Sequence, residues 1–104
     1  MAAYAATVTI KGRKAWRTGP GGFGILRGRI DITNYNSTLV ELTGITGKFK
    51  DNPTVNLSSA SDAGTIGHWV DASKSVKCYV TSTGVEVAND ADGGAFDFIA
   101  MGLV

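Results

Sequence analysis

Apolar and polar side chains alternate with a two-residue period along most of this chain, and helical spacing is nowhere sustained, so the sequence predicts an all-β protein. In a first strand Tyr4, Ala6, Val8 and Ile10 share one face, and Ala5, Thr7, Thr9 and Lys11 share the other. In a second, Leu26, Gly28, Ile30 and Ile32 oppose Arg27, Arg29, Asp31 and Thr33. After the turn signal Asn34-Tyr35-Asn36-Ser37, a run from Leu39 to Gly44 offers Val40 and Leu42 inward. Ile45 to Lys50 is expected to continue it as strand after a glycine-induced bend. Val55 and Leu57 mark a short strand, and Ser58 to Gly64 reads as a surface loop.

Further strands are predicted at Thr65–Asp71 and at Ser75–Thr81, where Val76, Cys78 and Val80 face in. Gly84 is placed where a tight turn needs positive φ, so Val85-Glu86-Val87 should return as a hairpin strand. Asn89–Gly94 is a second turn, and Phe96, Phe98 and Ala100 face the core of the closing strand while Asp97 faces out. The count is seven to eight short strands, which suits a small antiparallel β-sandwich or barrel, with the sandwich preferred.

Length changes this picture only by limiting it: 104 residues hold a single domain with one modest core. A lone cysteine, Cys78, cannot form an intrachain disulfide, which fits a reducing cytoplasm. The N-terminal residues lack a basic segment ahead of an apolar one, and no run approaches the roughly 18 apolar residues of a membrane span, so neither a secretion signal nor a membrane partner is expected.

Charge adds more. The net +1 conceals eight basic residues against two acidic ones up to Lys50, and two basic against seven acidic from Asp51 onward. If the halves occupy different faces, one copy offers a positive surface to the negative surface of a neighbour. If they interleave in one sheet, the charges cancel across strands.

The basic half contains the strongest candidate for chemistry, a predicted Gly-rich loop at about residues 11–24. It joins the cations Lys11, Arg13, Lys14 and Arg17 to the aromatic rings of Trp16 and Phe23, with Arg27 and Arg29 close behind. Such a loop can dock a protein around an aromatic anchor, or grip phosphates while a ring stacks on a base, or serve only as a solvated surface. It lacks the Gly-Lys-Ser/Thr ending of a nucleotide-binding P-loop.

Other chemistries find less support. Asn89-Asp90-Ala91-Asp92-Gly93 begins like a calcium loop but lacks the later oxygen ligands, and reads as a turn. One His and one Cys are too few for zinc, Cys78 lies on an apolar face, and no Gly-x-Ser-x-Gly elbow is present. Trp16, Trp69, Tyr35 and Tyr79 could line a sugar-binding face, although Trp69 beside Val70 fits a core or interface. No enzyme activity, metal or cofactor is expected.

Four stretches together resemble small structural proteins of tailed bacteriophages: Gly67-His68-Trp69-Val70-Asp71, Lys74–Val80, Gly84–Asp90 and Gly94–Gly102, with Asp31–Tyr35 upstream. The resemblance lies in strand patterns and turns. It implies a β-rich, non-enzymatic virion protein, made in the host cytoplasm, that decorates or cements the capsid, with a head-fibre or tail role as the alternative. The implied partners are the major capsid protein or another virion protein, together with further copies of itself, a trimer being the expected count. The family supplies no binding motif, so the candidate interface residues remain those read from the basic half. The Ala-rich beginning and Gly102-Leu103-Val104 are expected to order when a neighbour adds a strand.

Overall fold

The computed structural model describes residues 3–17, 22–58 and 64–103, and for residues 14–17 the backbone alone. Six strands are present among them: β1 (Ala5–Arg17), β2 (Gly22–Asn34), β3 (Thr54–Leu57), β4 (Thr65–Val70), β5 (Ser75–Val80) and β6 (Gly94–Leu103), with one short helix, α1 (Thr43–Thr46). All pairings are antiparallel, in a four-stranded sheet of order β1-β2-β6-β3 and a two-stranded sheet β4-β5. The all-β antiparallel class is as the alternation predicts. The strands are fewer and two are much longer than expected, because the region read as a Gly-rich loop is itself paired.

That region is a 13-residue strand facing another of the same length. Lys14 pairs with Ile25, Trp16 with Phe23 and Arg17 with Gly22, which leaves only residues 18–21 between them, outside the described residues. Cations and glycines suggest a loop when read one residue at a time, but ladder hydrogen bonds are made by the backbone and are indifferent to those side chains. The ends are also already paired: Ala5 and Ala6 lie in β1 and Gly102 and Leu103 in β6. The Ser58–Gly64 loop falls mostly outside the described residues.

β2 alternates buried and exposed positions almost without fault, with Leu26, Ile30 and Ile32 in the core. Phe96, Phe98 and Ala100 of β6 meet them from the neighbouring strand, and Val76 and Cys78 cover them from the second sheet. The two layers touch closely at Gly67, where an added Cβ would lie 3.0 Å from both Phe96 and Val76. Tyr4 and Tyr35 pack edge to face with centroids 5.9 Å apart, and the Tyr4 hydroxyl donates to the Val76 carbonyl across the layers.

Two predicted strands are corrected. Leu39–Lys50 is irregular chain and α1, and Val40, expected inside, is half exposed. Leu42 is buried as expected, but its companions at the core are Leu39 and Ile45, a three-residue spacing that turns rather than extends the chain. Val85–Val87 keeps two hydrogen bonds to β5, from Val80 N–H to the Val85 carbonyl and from Val87 N–H to the Cys78 carbonyl, but amounts to a single bridge at Glu86. Gly84 does have positive φ, +72°.

Lys74, closing the β4–β5 turn, has φ of 55°, a conformation that crowds a side chain's Cβ against the backbone. Lys74→Gly is expected to raise stability by about 0.5–1 kcal/mol, since relief of this crowding outweighs the entropy of the freer unfolded chain. Urea denaturation checks it, and a loss of stability would show that the Lys74 side chain holds the turn.

Candidate interaction surface

The outer face of the four-stranded sheet is the side away from the second sheet, and its register can be followed across strands. β2 presents Phe23, Ile25, Arg27, Arg29 and Asp31, which stand beside Leu103, Met101, Ile99, Asp97 and Ala95 of β6 in that order. Toward the Phe23 end the face is apolar: Phe23, Ile99 and Leu103 are 41%, 48% and 47% exposed, too much open apolar area to be core rim. A shallow groove runs there between Phe23, Met101 and Leu103 on one side and Asp51, Asn52 and Thr54 on the other.

The candidate cations are divided by this geometry. Lys11 is the extra residue of a β-bulge, since Ile10 pairs with Gly28 and Gly12 already with Arg27. Its ammonium lies 3.8 Å from Asp97 Oδ1, and Arg29 Nε donates to the same oxygen at 3.3 Å. Arg27 runs over Gly12, where an added Cβ would be 2.9 Å from Arg27 Nε. Arg13, beyond the bulge, pairs with Leu26 and so belongs to the opposite side of the sheet, where it is exposed. Lys11, Phe23, Arg27 and Arg29 therefore share the outer face, and Arg13 does not. For Lys14, Trp16 and Arg17 only the register is described.

All three members of the Lys11–Asp97–Arg29 cluster are well exposed, so the cluster contributes little to stability. Asp97→Ala should change the unfolding free energy by less than about 1 kcal/mol while adding positive charge to the face. Chemical denaturation measures the first, and a larger fall would mean that Asp97 supports the sheet.

The charge halves do separate, though incompletely, along a molecule 46 Å long. Lys50 N–H donates to the Leu103 carbonyl, which brings the Lys48–Lys50 segment to the Phe23 end. At the other end Glu86 accepts from the Tyr35 hydroxyl at 2.5 Å, Asp90 contacts Asn34, and Asp92 accepts from Gly94 N–H. Asp51, which accepts from Leu103 N–H, and Asp71, which shares a groove with Asn52 and Thr54, depart from this trend, and Asp97 sits midway.

The remaining candidates are drawn apart. Cys78 pairs with Gly67 and His68 with Lys77, so the cysteine and histidine occupy adjacent register positions on opposite faces, one buried and one exposed. Burial, helped by the nearby Glu86 and Asp92 carboxylates, pushes the Cys78 thiol up to about 12 and keeps it protonated. Tyr35 is fully buried, Trp69 packs against the core, and Tyr79 lies under the Lys77 ammonium, so these rings share no open face. Asn89 and Asp92 spend side-chain oxygens on backbone N–H groups of Ser37 and Gly94, and the segment is a turn.

Reading the sequence missed Ile25, Ile99, Met101 and Leu103. The signal was present in parity: Phe23 and Ile25 fall on the solvent-facing alternation that Arg27, Arg29 and Asp31 define. Compared with known proteins, the chain matches no protein-family model, no curated protein and no solved structure.

Proposed function

We propose that this is a non-enzymatic virion structural protein of a tailed bacteriophage, of the capsid decoration or cement type, which binds a protein surface through the outer face of its four-stranded sheet. One observation carries the reading: the exposed apolar group Phe23, Ile99 and Leu103 lies beside Arg27 on the outer sheet face. An apolar centre with a cationic margin is the anatomy of a protein interface. A phosphate grip fits less well, because Asp97 already occupies Lys11 and Arg29. Many copies on a repeating shell need only modest affinity each, since simultaneous contacts multiply.

The test is co-sedimentation of the purified protein with mature shells of the phage that encodes it. Saturable pelleting of the unaltered protein is expected, with at least a tenfold loss of affinity for the Phe23→Asp/Ile99→Asp double variant and an unchanged melting temperature. Failure to pellet, or equal pelleting of both proteins, overturns the proposal. Binding to single-stranded oligonucleotides that collapses as salt rises would replace it with a nucleic-acid role.

A further inference from the structure

We propose that two copies of this chain join through β1, edge to edge and antiparallel, about a dyad perpendicular to the sheet and passing by Thr7 or Val8. The inference does not depend on the virion reading.

β1 is an outside strand of the four-stranded sheet. Among the described residues, no backbone hydrogen bond from another element reaches it on the side away from β2. Its first half, Ala5-Ala6-Thr7-Val8-Thr9-Ile10, is uncharged, free of proline and rich in β-branched residues, and Ala5, Thr7, Thr9 and Ile10 are exposed. Edges of this kind template strand addition unless something blocks them. The cations, which do block pairing, begin only at Lys11, together with the bulge between Ile10 and Gly12. The other register shift, at Ala5/Ala6, has its extra residue, Thr33, on β2 and leaves the outer edge of β1 without an inserted residue.

Charge selects both the partner and its direction. The second half of β1 carries Lys11, Arg13, Lys14 and Arg17, so a parallel mate would set each cation beside its own copy. An antiparallel mate lays the uncharged halves against each other and carries Lys11 and Arg13 past the partner's strand start. There Asn34, the partner of Ala5, joins the Ala3 carbonyl to the Asp90 carboxylate, while Asp31 lies farther along, beside Thr7. Each copy thus supplies a basic strand end to the other's acidic corner, twice over by symmetry. A dyad perpendicular to the sheet also keeps side-chain parity, so the outer face of one copy continues into that of the other.

With the dyad at Thr7, that residue faces its own copy, and with the dyad at Val8, Thr7 faces Thr9. In either register, Thr7→Lys/Thr9→Lys brings like charges directly opposite, and so does Thr7→Glu/Thr9→Glu. Both threonines are solvent-exposed, so both variants are expected to fold, as thermal melts would verify. Sedimentation velocity at tens of micromolar protein should show a dimer for the unaltered chain, a monomer for each variant alone, and a dimer again when the two variants are mixed in equal amounts. A monomeric or trimeric unaltered protein overturns the proposal. Variants that remain dimeric, or a mixture that remains monomeric, overturn it equally.

Discussion

Gly28→Ala should destabilise the domain by about 3 kcal/mol or more, toward the upper end of what forcing extra atoms into a packed site costs. At Gly28 an added Cβ would sit 2.1 Å from the Thr9 carbonyl oxygen and 3.1 Å from the Phe98 ring. The first obstacle is backbone, held by the β1–β2 ladder at the bulge, and cannot swing aside as a side-chain end could. With roughly 4–8 °C lost per kcal/mol in a domain of this size, a loss of about 3 kcal/mol should lower the melting point by roughly 12–24 °C. Gly12→Ala is the control on the facing strand, because its nearest obstacle is the flexible Arg27 side chain. A Gly28→Ala melt within a few degrees of the unaltered protein would mean that the two strands do not approach so closely.

Raising the pH should unfold the protein, beginning with a buried thiol. Cys78 is fully inaccessible, and its ordinary value of 9.0 is pushed up to about 12, principally by burial. The stability tied to its protonated form is complete below pH 9 and is lost progressively as the pH climbs toward 12. A shift of that size corresponds to at most about 4 kcal/mol, a large share of the stability of a small domain. Burial also raises Tyr4 and Tyr35 above their ordinary 10.0, the latter helped by its hydrogen bond to Glu86, so their contributions begin to fade above pH 10. Equilibrium urea unfolding from pH 7 to 11.5 should therefore show a decline starting near 9, and in Cys78→Ala a decline starting near 10. Stability that stays flat to pH 11 would show that water reaches these groups.

How far the sequence disclosed this arrangement depended on whether one face of a strand was buried. Ile30, Ile32, Phe96, Phe98 and Cys78 were legible because a single period of two sorts them onto the core side. Leu42 was legible as a core residue but in the wrong element, and Leu39 and Ile45 were not legible, since an apolar residue every third position satisfies a loose strand and a turn alike until the partner layer is known. The Lys11–Arg29 set was legible as a basic concentration but not as a site. A bulge at Lys11 shifts parity by one, sending Arg13 to the opposite face, and nothing local in Ile10-Lys11-Gly12 announces it. Asp97 lies some 70 residues from Arg29 in sequence, and only the β2–β6 register makes it the counter-ion. The apolar outer group was written in the alternation but hidden by an assumption that solvent-facing positions are polar.

The strand order has a bearing on how the protein is made. β6 lies between β2 and β3, yet it follows every other strand along the chain. Until it has left the ribosome, β2 has a partner on one side only, β3 has none, and the faces of Leu26, Ile30 and Ile32 lack the phenylalanines that cover them. Loop closure over some sixty residues must precede any completed sheet, which slows folding. Translation therefore passes through a stage in which a long hairpin waits with its apolar side open, and chaperone binding or aggregation in the producing cell will be decided in that interval rather than by the stability of the finished fold.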